Sequence, residues 1–403
     1  MSLTENGHPG FAWLSGGRLF VRRPNHDLVE IESSFARETM ERRLRSEQLN
    51  SWKDRSGVWG SMGIAPPEMA QWNAAAATPR RMIHFRSVTR GDEPGQLFYV
   101  LDLGNVGGLF RYDLDKDYET RLMHREGFMT SDLSRRPQGG EVAVALRRSD
   151  GTAGITIGEN DGRYLKDVTF SDGVDESPAW LNDGSRRLVY QSAAWLRDDN
   201  GIARGMSPYR VEMLDLDAEK ITTIHEEETS DLLQPRRLSD GTLYFIRRPY
   251  RDKPRQRSIL EEVKDILLWP FRLIRAVLHF LNFFSVMFSG KPLTTAGGPD
   301  GPDKQAPAHL MLWGQMVDTR HFMRRQKSDE NARLVPKEWK LVRRSGDGEE
   351  TVLASSVMAY DVSNDGRVVY TDGSKVMTVA EDGTEEILAE DAMIERVAWL
   401  AAE

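Results

Sequence analysis

The sequence predicts an all-β fold, a β-propeller in which four-stranded blades stand around a ring. Three observations predict it: a strand–turn–strand unit that recurs along the 403 residues, a spacing that allots one blade to each unit, and a final segment that repeats a unit's opening strand and then stops. Four strands in about 40 to 50 residues is the period of a propeller blade. The units begin near residues 10, 81, 128, 176, 231 and 356. The expectation is a single six-bladed propeller over residues 1–403, with seven as the alternative count because two long insertions blur the register.

The repeat is clearest in two copies. Ala179-Trp180-Leu181-Asn182-Asp183-Gly184 leads into Arg187-Leu188-Val189-Tyr190, as Ala12-Trp13-Leu14-Ser15-Gly16-Gly17 leads into Arg18-Leu19-Phe20-Val21. Weaker copies are Leu238-Ser239-Asp240-Gly241 before Leu243-Tyr244-Phe245, Val362-Ser363-Asn364-Asp365-Gly366 before Val368-Val369-Tyr370, and Gly139-Gly140 before Val142-Ala143-Val144. Asn-Asp-Gly and Ser-Asp-Gly supply the positive φ of a tight hairpin turn, and β-branched or aromatic residues follow where the chain must pleat. A second hairpin follows in most units. Leu109 to Asp115 and Val211 to Asp217 alternate apolar and polar residues before an acidic turn, and Tyr118 to Met123 and Lys220 to His225 read as outer strands. Ile394 to Leu400 repeats a first strand alone, which predicts that it completes the blade begun near residue 10 and leaves no open sheet edge.

Two insertions interrupt the units. Residues 33–79 carry a stretch rich in helix formers, with Phe35, Met40, Leu44 and Leu49 toward one side, which predicts a helix packed on the propeller rim. Trp52, Trp59, Met62, Met69 and Trp72 follow in a segment broken by Gly and Pro, read as side chains that plug a blade edge or as an aromatic partner surface. Residues 249–308 interrupt blade five between the strand Thr242 to Arg248 and the strands near Glu338 to Arg343 and Thr351 to Ala354. A linker rich in Gly, Pro and Thr, residues 290–307, returns the chain to the ring.

The second insertion is the candidate contact site. Arg247, Arg248, Arg251, Lys253, Arg255 and Arg257 form a basic cluster of the kind that anionic lipid head groups attract. Ser258-Ile259-Leu260-Glu261 fits a capping box, Pro270 kinks or breaks the helix, and Gly290 ends it. Beyond the proline, Arg272, Arg275, His279 and Asn282 make one narrow polar stripe, and Trp269, Phe271, Leu278, Phe280, Leu281, Phe283, Phe284 and Phe288 belong to the apolar surroundings. A transmembrane span is long enough, but apolar residues gain only roughly 0.3 to 0.6 kcal/mol each while each Arg costs roughly 2.5 to 3.5 at the bilayer centre. Lying in the interface lets the arginines reach phosphates while the apolar face enters the acyl boundary. Interfacial binding is the leading expectation. Packing in a protein partner or a second copy, and burial against the chain's own propeller, are the alternatives.

Composition excludes several function classes. The formal net charge is −8 with both signs mixed along the chain, which argues against nucleic-acid binding. There is no cysteine, hence no disulfide, thiolate metal site or cysteine nucleophile. The first residues lack a basic and apolar leader pattern, which gives the expectation of a cytoplasmic protein held peripherally on the inner membrane face. The eight histidines show no metal-ligand spacing and read as surface or packing residues. No P-loop, nucleophile elbow or dinucleotide fingerprint occurs. Asp113, Asp115, Asp117, Asp215 and Asp217 lack an EF-hand pattern and read as turn residues. No catalytic residue, metal or cofactor is expected, although a propeller channel can assemble side chains from separate blades.

The repeat residues also carry a resemblance. Residues 177–190, SPAWLNDGSRRLVY, followed by 209–224, YRVEMLDLDAEKITTI, resemble the repeat of TolB-type β-propellers: Pro and an aromatic, a turn with Asp-Gly, a strand, then a strand ending in Asp-Leu-Asp. The resemblance implies a propeller that works through protein interactions. The same repeats form the propeller of prolyl-oligopeptidase-like peptidases, but with no hydrolase sequence after them here, peptidase activity is not expected. The functional expectation is a non-enzymatic scaffold or adaptor that docks on anionic lipid through the apolar helix and binds protein partners. The rival is an enzyme or small-ligand binder acting through the central channel, or an oligomer in which that helix packs on a neighbouring subunit.

Overall fold

The computed structural model describes residues 10–54, 83–250, 309–318 and 333–401, apart from positions 25, 105, 129, 131, 138, 313–314 and 380–382. By contacts the chain divides into two compact units: Met1–Arg45, Pro79–Asp252 and His309–Glu403 form one, and Ser46–Thr78 with Lys253–Ala308 the other. The first unit holds the sheets. Of the second, only the last turns of one helix fall among the described residues.

The first sheet joins strands from opposite ends of the sequence, in the order Ile394–Trp399, Phe11–Ser15, Arg18–Arg22, Val29–Ile31. Phe11 pairs with Trp399 and Trp13 with Val397, as the lone terminal repeat predicted. The hairpin turn is Gly16-Gly17, with φ of 57° and 77°, a left-handed pair that glycine adopts without a Cβ clash. At Gly17 a Cβ would also collide with the His84 ring.

Five more four-stranded arrangements follow. His84–Arg90, Gln96–Asp102, Val106–Asp113 and Tyr118–Glu126 form an antiparallel meander. A larger sheet contains two meanders, Leu133–Arg135 through Lys166–Asp167 and Gly173–Trp180 through Lys220–His225, joined by a single parallel pairing of Ala153 with Val174. Next come Ser230–Arg237, Leu243–Pro249, Lys340–Arg344 and Glu350–Ser355. Here Leu243 pairs with Arg344 and Arg247 with Lys340, so two neighbouring strands meet across the whole intervening segment. Ala359–Val362, Val368–Thr371, Lys375–Val379 and Glu385–Glu390 form the last meander. A separate two-stranded ladder pairs His309–Leu312 with Gln315–Asp318.

The first strand of each meander, with Ile394–Trp399 in the first sheet, makes the contact between sheets. Ile394–Trp399 touches His84–Arg90, which touches Leu133–Arg135, and the contacts pass on to Gly173–Trp180, Ser230–Arg237, Ala359–Val362 and back to Ile394–Trp399. These inner strands therefore form a closed cycle. Apolar clusters fill the gaps between successive sheets. Phe11, Trp13 and Phe20 pack on Val369, Val376 and Trp399, for example, and Ala179, Val189 and Val211 pack on Leu232, Phe245 and Val342. Sheets whose two faces are both covered in this way have no separate core, so the strands read as nearly continuous apolar runs.

Two inner strands share a bulge. Ser177 and Gln234 have φ of 54° and 52°, each precedes a proline, and the strand register shifts at each. A left-handed residue before proline is a sparsely populated conformation, and a bulge re-aims the side chains around it. The displaced amides are satisfied by side chains of neighbouring elements: Gln234 N donates to Gln191 Oε1 at 2.7 Å and Ser177 N to Asp132 Oδ2 at 3.4 Å.

The helix Ser34–Asp54 begins where a strand carboxylate meets free amides. Ser33 Oγ accepts from Ala36 N at 3.1 Å as an N-cap, and Glu119 accepts from Phe35 N at 2.9 Å and from the Ser33 and Ser34 hydroxyls at 2.5 Å each. Ala36 and Met40 are buried, whereas Leu44 and Leu49 are exposed, so the apolar side of the helix is covered only over its first turns. The aromatic segment after it, including Trp59 and Trp72, lies outside the described residues.

Candidate functional site

The inner strands and the strands paired with them bring polar residues of separate repeats to the middle of the ring. Asp132, Asp175, Glu176, Gln191, Asp231, Gln234 and Arg248 are all buried. They form a chain of contacts. Arg396 Nη2 donates to Asp132 Oδ1 at 2.8 Å, and Asp132 also receives the amide and hydroxyl of Ser177. Glu176 takes a charged bond from Arg147 and a longer one, 3.4 Å, from the Tyr209 hydroxyl. Tyr209 N then donates to Asp231 Oδ1 at 3.0 Å, and Arg248 Nε to Asp231 Oδ2 at 2.7 Å. The Arg248 guanidinium lies over Trp339, 5.1 Å from the ring centroid.

Burial sets the electrostatics of this bore. Glu176 is pushed up from its ordinary value by burial first and by the Asp132 charge second, against the pull of Arg147 and Arg396. Glu395, next to Arg396 in sequence, is pushed up by burial, with Arg86 and Arg396 opposing. A carboxyl raised in this way beside a second carboxylate is an arrangement that a general acid uses. In the bore, however, each of these acids faces a guanidinium.

At the carboxyl ends of the inner strands a cavity of about 120 Å³ opens. Every inner strand contributes to it. Its lining includes Arg90, Arg135, Arg236 and Arg237, with the carboxylates Asp92 and Asp361. Arg135 is held by both oxygens of Asp92 and lies over Phe98. Arg90 donates to Asn364 Oδ1 at 2.9 Å, and Arg236 donates to the Pro235 carbonyl at 3.0 Å and lies 3.8 Å from Asp361. Arg237 donates to the Met213 thioether at 3.5 Å.

His225, Glu227 and Glu350 offer ligand atoms within 4.8 Å of one another, the spacing of a metal site. Arg247 donates to Glu227 at 2.9 Å and to Glu350 at 2.7 Å, and Arg344 donates to Glu350 at 3.1 Å. His225 is pushed down from 6.5 by burial first and by Arg344 second. Two guanidiniums already occupy the carboxylate lone pairs and repel a dication, so the cluster is an ion network joining the strand ending at His225 to the next sheet.

Of the residues singled out for membrane or partner contact, Arg247 and Arg248 are described. Arg247 belongs to the network just given, half-buried between Glu227 and Glu350. Arg248 is 2% exposed, so its guanidinium serves Asp231 and Trp339 rather than a lipid surface. The physical reason is strand pairing, since both residues are still within Leu243–Pro249 and face neighbouring sheets. Arg251, Lys253, Arg255, Arg257, Trp269, Phe271, Arg272, Arg275, Leu278, Phe280, Leu281, Phe283, Phe284 and Phe288 lie outside the described residues. No described helix is long and apolar enough to cross a membrane.

Sequence reasoning missed the bore and its mouth. A signal was present: Arg135-Arg136 and Arg236-Arg237 recur at the same stage of two repeats, and Ser177-Pro178 and Gln234-Pro235 recur at the bulges.

A closed cycle of sheets around a polar bore defines a β-propeller. No protein-family model matches the sequence, and no curated protein matches it. Solved structures do match in shape. TolB from Acinetobacter baumannii superposes with a TM-score of 0.53 at 11% identity, covering 98% of this chain and 67% of that one. The nidogen/laminin complex gives a TM-score of 0.48 at 7% identity over 97% of this chain and 98% of that one. An acylaminoacyl peptidase from Pyrococcus horikoshii gives 0.37 at 12% identity over 76% and 40%. The fold is a TolB-like β-propeller, and at these identities the likeness concerns the fold alone.

Proposed function

We propose that this chain is a six-bladed, non-enzymatic propeller scaffold that binds protein partners on its ring and docks on anionic lipid at the cytoplasmic membrane face through the insertion at 249–308. The cycle of inner-strand contacts supports six blades, the large sheet counting as two. The observation that carries the scaffold reading is the pairing of the bore: Arg396 with Asp132, Arg147 with Glu176 and Arg248 with Asp231. Arg396–Asp132 and Arg147–Glu176 tie separate meanders together, Arg248–Asp231 ties the two strands of one hairpin, and a rigid ring presents its loops for binding. The membrane part rests on the basic run from Arg251 to Arg257 and the apolar run through Phe288.

The test is co-flotation with anionic liposomes at low and high salt, using the intact protein and a variant lacking residues 255–300. Flotation of the intact protein alone, weakened by salt, is expected. Equal behaviour of the two proteins sinks the membrane reading and directs attention to a protein partner or a second copy, which sizing of the two separates. A second reading, an enzyme or ligand binder using the channel, is favoured by the raised Glu176 carboxyl beside Asp132. Hydrolytic or lyase turnover lost in Glu176→Gln, with the fold retained, would replace the scaffold reading.

A further inference from the structure

The mouth of the ring has more positive charge than it neutralises. Four guanidiniums line it against two carboxylates, in a chain whose net charge is −8. Arg135 is fully engaged by Asp92. The other three differ. Among the described residues no carboxylate lies within ion-pairing distance of Arg90 or Arg237, and Arg236 is 3.8 Å from Asp361 at the edge of that range. All three are half-buried, so their charge is only partly screened by water.

Their placement converges. Arg236 and Arg237 end one inner strand, Ser230–Arg237, and Arg90 ends another, His84–Arg90. In the cycle of contacts these two strands stand three places apart in either direction, so the arginines approach the cavity from opposite sides. A scaffold position that needed only strand packing would not gather half-buried cations at one opening, since like charges around a cavity repel. A guanidinium offers a planar fork of N–H donors that matches a carboxylate or phosphate. The cavity, about 120 Å³, is smaller than the pockets that enclose drug-sized ligands and suits one such group.

We propose that the mouth of the propeller is a binding site for the oxyanion group, carboxylate or phosphate, of a small anionic ligand, held by Arg236 and Arg237 on one side and Arg90 on the other. The site is independent of membrane docking. Ligand binding fills the charge gap without disturbing the bore, whose acids already have their partners.

The test is calorimetric titration of the full chain with sodium phosphate and, separately, sodium succinate, at constant ionic strength set by sodium chloride. Wild type is compared with Arg237→Gln, the double variant Arg236→Gln/Arg237→Gln, and Arg18→Gln, a surface control paired with Glu30. Saturable binding of at least one probe is expected, weakened roughly tenfold or more by Arg237→Gln and further by the double variant, and unchanged in the control. Phosphate alone or succinate alone identifies the group that the site prefers. Absence of saturable heat with both probes up to about 10 mM, or equal affinity in wild type and a folded double variant, overturns the proposal. Circular dichroism and thermal melting establish that the variants are folded. If the double variant unfolds, the single variant and Arg90→Gln decide the outcome. Deleting residues 255–300 leaves probe binding intact, and Arg237→Gln leaves flotation intact, so the two readings fail separately.

Discussion

The bore and the mouth of this ring both draw on the inner strands, and they treat charge in opposite ways. In the bore three acids meet a guanidinium on another element: Asp231 meets Arg248, Glu176 meets Arg147, Asp132 meets Arg396. At the mouth, at the ends of two inner strands, Arg237 donates to a thioether and Arg90 to an amide oxygen, with no carboxylate in ion-pairing range of either among the described residues. Burial explains the difference. An unpaired charge in the bore would be prohibitively desolvated, whereas at the opening residual water tolerates one and leaves it available. Paired charges thus mark where the ring is held together, and incompletely paired ones mark where it can bind.

The contrast predicts a ranking of effects. The largest belongs to the bore: Asp231→Leu removes the carboxylate that buried Arg248 meets and should cost about 3–5 kcal/mol in urea unfolding, most of it recovered by adding Arg248→Leu. A loss below about 1 kcal/mol in the single variant would show that water reaches Arg248 and that the bore is not the tight network described.

Glu395 comes next. Its folded-state pKa lies above the ordinary 4.5, because burial disfavours the anion, so the folded protein holds this proton more tightly than the unfolded chain. Stability therefore falls as pH rises through that window. Glu395→Gln should gain on wild type as pH rises above 4.5, and parallel stability profiles would refute the burial argument.

His225 carries the opposite sign and a smaller effect. Its pKa is depressed below 6.5, so its contribution is present above that value and is lost as pH falls toward the folded pKa. In His225→Gln the loss of stability on acidification below 6.5 should be shallower, as read from unfolding midpoints. An identical slope would mean that Glu227 and Glu350 offset burial and Arg344, so that the histidine binds its proton equally in the folded and unfolded chains. The smallest effect is at the mouth, where Arg237→Gln should change stability by no more than about 0.5 kcal/mol. A larger loss would make Arg237 a structural residue like Arg248 and erase the distinction.

Much of the fold was legible in the sequence because hairpin chemistry is local. Gly16-Gly17, Asp183-Gly184 and Asp365-Gly366 announce their turns, and the solitary strand near Trp399 announces its pairing with Phe11. The site was not legible, because it is assembled by position around the ring. Asp132 and Arg396 are far apart in sequence and meet only when the inner strands form their cycle. Arg248 shows the converse error. It belongs to a basic run in the sequence, but strand geometry ends that run's surface character before Pro249.

The pairing of Phe11–Ser15 with Ile394–Trp399 sets a timetable for synthesis as well as an architecture. The hairpin Phe11–Arg22 leaves the ribosome with one edge bare, and the partner for that edge is translated only after every other sheet has appeared. Trp13, whose indole N–H ends on Asp391, waits equally long for its acceptor. The nascent chain therefore carries an apolar, unpaired strand through most of its production, a period in which another nascent chain or a holding chaperone competes for that edge.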